Sequence, residues 1–362
     1  MSESAMDAAV VGGGPAGAVC ALLLARTGAR VSLVHWPGYA PTGAELVSGH
    51  GCRLIEHLCP GFFRPGGIGT EGVEIREAIS LWNTAEPVVL SAMFSSQGPG
   101  MAVDRIQFDY ALLCLARAAG VSVIGEKMVG LERRGGFSIL VTRPNDSTDG
   151  AAISRIAARY VVLATGRTGV RLFVDQPLTM EESPRIALMA SVMPQPDADP
   201  LPREMHALYV EAAGNGWWYA LPMKGGGYFI GFCTTPGELK QRQAPLKDFF
   251  AQQLRATRLL APLLSGMAAM PQPAGRVIGR TASRTGKAAG DGWIMIGDAA
   301  HAPELSGPGI GMGMEFAIES ARLGASAVLG ALSGISQRDA FRQYEMSIHQ
   351  RAAQDGPTGA AD

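Results

Sequence analysis

The sequence predicts an α/β protein in which a Rossmann-type dinucleotide-binding unit is interleaved with a mixed β-sheet. Three observations predict it. Ala8-Ala9-Val10-Val11 runs into Gly12-Gly13-Gly14-Pro15-Ala16-Gly17 and then an apolar helical stretch to about Arg26. A second strand, Arg30 to Val34, follows Thr27-Gly28-Ala29, completing a strand–turn–helix–strand unit with Gly-x-Gly-x-x-Gly in its first turn. Far along the chain, the apolar run Gly292 to Ile296 ends in Gly297-Asp298-Ala299-Ala300-His301, followed by a glycine-rich stretch and a helical run from about Met312 to Leu329.

In the first turn each glycine has a separate task. Gly12 permits the tight turn, Gly14 lets backbone approach a pyrophosphate, and Gly17 lets the helix pack on the strand. Pro15 and Ala16 open the helix, whose free N–H groups and dipole favour a phosphate. An acidic residue normally ends the second strand and bonds the ribose; here His35 stands there, an uncharged substitute that predicts weaker binding.

The remaining elements follow in order. Val103 to Asp109 opens an amphipathic helix, and Val121–Ile124, Met128–Arg133 and Phe137–Thr142 read as a three-strand meander. Arg159 to Leu163 is a strand that ends in Ala164-Thr165-Gly166. Arg171 to Pro202 reads as a strand bounded by loops, and Leu201 to Thr235 as paired strands turning at Gly225-Gly226-Gly227. Glu238 to Leu264 reads as one or two helices interrupted by Pro245 and Pro262, Ile335 to Gln354 as a polar helix, and 355–362 as a tail.

Composition narrows the function classes. The 362 residues include 47 glycines, nearly twice the ordinary usage of about 7%. Only 17% are charged, while the apolar share of 47% is ample for a large core. A net charge of −1 with no Lys/Arg run gives no footprint for nucleic acid or an anionic membrane. The five scattered cysteines form no Cys-x-x-Cys pair, which argues against a disulfide scaffold or a zinc site. No apolar run is long enough to span a bilayer, so a cytoplasmic protein is expected.

Gly297-Asp298-Ala299-x-His301 with its glycine-rich loop and helix resembles the second FAD fingerprint of the flavoprotein monooxygenases of the para-hydroxybenzoate hydroxylase type. The resemblance spans nearly the whole chain. It implies a glutathione-reductase-like FAD-binding domain over 1–70, 101–172 and 275–330, a substrate domain over 71–100 and 173–274, and a C-terminal helix and tail over 331–362. It implicates Asp298 at the flavin ribityl chain, and Gly307, Gly309, Ile310 and Gly311 at the flavin pyrimidine, where a helix N-terminus stabilises anionic reduced flavin. Arg105 matches the family's FAD-contacting arginine, and Thr165 and Gly166 match its strand end beside the FAD.

Departures choose among the branches. Thr165 stands where NADPH-dependent aromatic hydroxylases usually carry aspartate, and no second Gly-x-Gly-x-x-Gly offers a nicotinamide site. Gly216-Trp217-Trp218-Tyr219-Ala220-Leu221-Pro222 and Gly43-Ala44-Glu45 are similar to segments of the halogenase-like and geranylgeranyl-reductase-like branches. Halogenases need a lysine that handles hypohalous acid, and none lies between Met1 and Glu126. What the resemblance then implies is an enzyme that adds oxygen from a C4a-hydroperoxyflavin to an electron-rich ring. The tryptophylquinone-maturing monooxygenases, which act on tryptophan in a partner polypeptide, fit this outline. Small-molecule aromatic hydroxylation, a reductase of the geranylgeranyl type, halogenation and flavin-fold binding without turnover remain as alternatives. The implied cofactors are FAD, O2 and electrons from NAD(P)H directly or through a separate flavin reductase. No catalytic base is required; His50, Trp217 and Tyr219 are the candidates for the substrate side, each with a plain core or surface role as its alternative.

Overall fold

The computed structural model describes residues 5–36, 43–144, 153–169, 178–180, 185–194, 206–265, 267, 273, 276–277, 283–302 and 312–354. Its largest sheet is the dinucleotide-binding one. Strands β8 (Ser122–Ile124), β2 (Val31–Val34), β1 (Met6–Val11), β11 (Ser154–Leu163) and β20 (Trp293–Met295) lie side by side, all parallel, with β19 (Ala289–Gly290) antiparallel on the β20 edge. Both faces of these strands are covered, so β1 from Ala8 onward is a continuous apolar run and β2 is apolar but for the buried Ser32. Helix α1 (Pro15–Arg26) is buried on most of its surface, between the sheet, α3 (Arg105–Ala118) and α8 (Met312–Leu332). Helix α9 (Gln337–Gln354) packs on α8, burying Phe341, Tyr344 and Ile348.

The expected meander is shifted by one strand. Val121–Ile124 belongs to the parallel sheet as β8, paired with β2, while β9 (Glu126–Arg134) and β10 (Phe137–Pro144) form the meander with β11. Period-two patterning identifies a strand but not its partner. Helix α3 acts as the crossover that returns the chain to the parallel sheet.

The second sheet runs β17 (Arg276–Val277), β13 (Ile186–Val192), β16 (Gly227–Thr234), β15 (Gly216–Met223), β14 (Ala207–Ala213), β5 (Glu77–Leu81), β6 (Val88–Ser91). One face is closed by α5 (Pro236–Gln241), α6 (Leu246–Arg255) and α7 (Leu260–Leu263). There Trp218 stacks on Phe232 and tilts against Phe250, each at a centroid distance of 4.8 Å.

A small antiparallel sheet, β3 (Ala44–Val47), β7 (Gly100–Asp104), β4 (Gly72–Ile75), joins the two cores. Alternation along β3 and β7 sends Val47 and Val103 into the dinucleotide core and Leu46 and Ala102 into the core on the face of the seven-stranded sheet opposite α5–α7. Helix α2 (Gly49–Leu58) follows β3 directly. A short helix, α4 (Gly166–Gly169), follows β11, and β12 (Leu178–Met180), β18 (Ser283–Thr285) and β21 (His301–Ala302) form a small antiparallel sheet. No helix among the described residues is long and apolar enough to cross a membrane.

Glu211, buried in β14, ties the seven-stranded sheet to its cover. Its carboxylate accepts the backbone N–H groups of Arg258, Leu259 and Leu260 at 2.5, 2.9 and 3.1 Å, at the start of α7. Glu211→Ala leaves these donors without an acceptor and is expected to cost roughly 1–3 kcal/mol, read as a lower urea midpoint. Glu211→Gln, which keeps an acceptor, is expected to lose less.

Candidate functional site

At the carboxyl ends of β1, β11 and β20 three backbone segments converge. Gly12 has φ +116°, and a Cβ there would lie 2.1 Å from the Ala164 carbonyl oxygen. A Cβ on Gly17 would lie 1.9 Å from the Gly12 oxygen. These two positions exclude any side chain because turn, helix and neighbouring strand touch through backbone. Gly297 closes the same junction: its N–H donates to Ser320 Oγ at 2.9 Å, and a Cβ on it would reach Ala16. Gly14 and Gly166 differ, since a Cβ on either would meet nothing within 4 Å.

That open space is where a dinucleotide fits. Gly14 is the N-cap of α1 with no side-chain cap, and no acidic residue occupies the helix's first turn. The first N–H groups of α1 are therefore available to a phosphate. Thr165 Oγ1, two residues past the end of β11, is buried with no hydrogen-bond partner among the described residues, a hydroxyl of the kind a bound polar ligand satisfies. The residues present thus fit FAD. Gly307, Gly309, Ile310 and Gly311 lie outside the described residues.

His35 follows β2, its Cβ packed so closely on the turn that a Cβ on Gly13 would come within 2.8 Å of it. Its backbone N–H donates to Ile124 at 3.0 Å. Burial, and then Arg117, hold its pKa below the usual imidazole value, so it is uncharged at neutral pH. Asp298, the ribityl candidate, pairs at 3.0 Å with Arg167, a residue that the fingerprint does not reveal.

Arg105 is engaged by side chains of the protein itself. It begins α3, which Asp104 caps by accepting the Gln107 N–H at 2.9 Å. Its guanidinium is bidentate to Asp109, at 3.2 and 3.1 Å, and also ion-paired with Glu45 from β3. The two carboxylates hold Arg105 firmly protonated. Burial raises the Asp109 pKa, with Arg105 opposing the shift. Three of the five guanidinium donors are therefore committed within the protein.

His50 lies in the first turn of α2, half-buried, not in a loop. The N-cap Ser48 accepts the Gly51 N–H at 3.0 Å and donates to Glu315 at 2.6 Å; Glu315 in turn accepts from Arg351 at 2.9 Å. This half-buried bridge ties the start of α2 to the start of α8, the helix expected to face the flavin. Glu315 carries no sequence signal, because its partners come from two distant helices.

Trp217 and Tyr219 share the face of β15 turned to the β3–β7–β4 sheet, and Trp218 is core on the other face. The Tyr219 ring lies over Gly231, where a Cβ would come within 2.1 Å of it. Trp82, Trp217, Tyr219 and Phe229 continue one another at centroid distances of 6.2, 5.9 and 6.4 Å. Trp217 Nε1 is buried with no acceptor among the described residues. Burial first, then Cys233 and Glu45, push the Tyr219 phenol pKa well up, so it stays protonated. His301, in β21, is buried and edge-on to Phe316 at 5.3 Å.

The chain is similar to several known proteins. A family described as Glucose inhibited division protein A matches residues 7–186. Protein FixC of Escherichia coli O157:H7 is 26% identical over 384 residues, covering 99% of this chain and 83% of its own. The probable electron transfer flavoprotein-quinone oxidoreductase YgcN of Escherichia coli K12 is 25% identical, covering 96% and 82%. Among solved structures, the myxobacterial chondrochloren halogenase CndH superposes with a TM-score of 0.81 at 18% identity, covering 97% of this chain and 80% of its own. The peptidyl tryptophan dihydroxylase QhpG superposes with a TM-score of 0.72 at 23% identity, covering 97% and 73%. Fold and cradle define an FAD-dependent oxidoreductase. More particularly, its architecture is the fold seen in the CndH and QhpG structures.

His35→Glu restores a charged acceptor at the ribose position and is expected to tighten FAD binding by roughly fivefold to tenfold at pH 7.5. Titration of the apoprotein followed by flavin fluorescence measures it. An unchanged Kd would mean that the ribose does not reach residue 35.

Proposed function

We propose that this chain is an FAD-dependent monooxygenase that hydroxylates an electron-rich aromatic ring, a tryptophan side chain of a partner polypeptide in quinone-cofactor biogenesis. The observation that carries this reading is an aromatic sheet face furnished without a lysine. Trp82, Trp217, Tyr219 and Phe229 line that face, while all five lysines of the chain, Lys127, Lys224, Lys240, Lys247 and Lys287, are exposed. No ammonium group is therefore held inside to capture a hypohalous acid, which favours hydroxylation over halogenation. The likeness to the peptidyl tryptophan dihydroxylase supports a peptide-borne substrate.

Bound FAD would supply the electrons and the site at which dioxygen is activated. The chain's own residues bind and orient. An indole has offset or edge-on partners in Trp217 and Tyr219. The protonated Tyr219 hydroxyl can donate a hydrogen bond to a substrate oxygen. Leu46, Val210 and Leu221 exclude water from the same face. Indoles are activated arenes, so the site needs no strong base.

The test is a single turnover of reduced, FAD-loaded protein with O2, a tryptophan-bearing peptide and bromide. The expected product is the peptide plus one oxygen atom, by mass spectrometry. A brominated peptide would overturn the reading, and oxygen gain on free indoles alone would shift it to a small-molecule hydroxylase. A second reading, electron transfer without oxygen insertion, is favoured by the similarity to YgcN. In that case the reduced protein would reduce a soluble quinone and leave every arene unchanged.

The electron source is a separate matter. With no second nucleotide fingerprint in the chain, NADPH alone is expected to bleach the flavin slowly under anaerobic conditions, and a flavin reductase to restore the rate. Rapid bleaching by NADPH alone would contradict this.

A further inference from the structure

We infer that Trp36, with the Lys127 ammonium at its ring, is the stacking platform for the adenine of bound FAD. Trp36 follows His35 just beyond β2, at the same end of the parallel sheet as the turn from Gly12 to Gly17. Two contacts close that end. A Cβ on Gly13 would meet the His35 Cβ, and the His35 N–H donates to Ile124, the last residue of β8. In a Rossmann unit the residue that ends the second strand faces the adenosine ribose. The base is joined to that ribose, so it lies beside the next residue along the chain and the next strand of the sheet. Trp36 and the connection from β8 to β9 are what this chain places there.

The residues at that edge have the chemistry a purine needs. Of the five tryptophans, all among the described residues, Trp36 alone is exposed, at 43%. Tryptophan is highly buried on average, so an exposed indole beside a ligand groove calls for a partner. Lys127 Nζ lies 4.9 Å from its ring centroid. That lysine stands at the start of β9, and its neighbour Glu126 accepts from the Thr142 and Ser154 hydroxyls, which anchors the segment on β10 and β11. The indole offers a plane on which a base stacks. The lysine, with three donors on a flexible stem, reaches the ring-nitrogen acceptors of adenine. Arg117 lies close enough to His35 to oppose its protonation. The edge therefore binds by stacking and by cations where a carboxylate ordinarily bonds the ribose. A stacked base and a charge-assisted hydrogen bond are comparable in size, so Trp36 offsets what His35 forgoes. This rests on FAD binding alone, whatever reaction the flavin performs.

Titration of the full-chain apoprotein tests the assignment, with FAD followed by flavin fluorescence and with ADP followed by displacement of FAD. Trp36→Ala is expected to weaken both ligands about tenfold, and Lys127→Met about threefold, because adenine is common to the two. ADP alone is expected to quench the indole emission of the wild-type apoprotein. Trp36→Phe is expected to keep most of the affinity and lose the quenching, a signature that a merely packed indole would not give. An unchanged FAD affinity in Trp36→Ala, or a loss for FAD without a loss for ADP, overturns the inference. So does ADP quenching that is absent from the wild type or survives in Trp36→Phe. Should Trp36→Ala fail to fold, the quenching in wild type and Trp36→Phe decides alone.

Discussion

The site depends on one backbone contact. Gly12, Gly17 and Ala164 meet where no Cβ fits, with Gly12 in the left-handed region at φ +116°. That contact seats the first turn of α1 over the ends of β1 and β11 and aims its uncapped N–H groups at the space beyond Gly14 and Gly166. Gly297 reaches the same junction through Ala16 and Ser320, so β20 and α8 are registered against it as well. A methyl group at either Gly12 or Gly17 would move all of these together, because the neighbouring atoms are backbone and cannot swing aside.

From that junction the small β3–β7–β4 sheet carries position to the aromatic face. Its strands are buried on both sides, so Val47 and Val103 hold it to one core while Leu46 and Ala102 hold it to the other. Glu45, on β3, reaches Arg105 at the start of α3, and Ser48, just beyond β3, reaches Glu315 at the start of α8. The distance between the dinucleotide groove and Trp217 is thereby fixed by a two-sided sheet with a polar tie to each flanking helix.

Much of this is legible in the sequence where the constraint is local. The Gly-x-Gly-x-x-Gly unit, its flanking strands and helix, and the opposed faces of Trp217 and Trp218 follow from spacing alone. The Arg105–Asp109 pair is a helical i,i+4 contact that spacing also permits. What spacing cannot show is long-range pairing. Glu45 lies 60 residues from Arg105, Arg167 lies 131 residues from Asp298, and Glu315 lies 267 residues from Ser48. The true partner of β8 was hidden for the same reason, since an alternating run fits an antiparallel meander and a parallel edge equally well.

Those long-range pairs change how recognition by the groove is understood. Arg105 is engaged by two carboxylates, Asp298 by Arg167, and His35 is uncharged. The side-chain charges at the groove are therefore largely compensated within the protein. Positive character for a pyrophosphate comes instead from the backbone N–H groups of α1 and the dipole of that helix. Recognition built on backbone tolerates side-chain replacement at its margin, because the donors belong to the fold and not to any one residue. A histidine where an acidic residue usually holds the ribose would then cost one charge-assisted bond and leave the turn set by Gly12 and Gly17 intact.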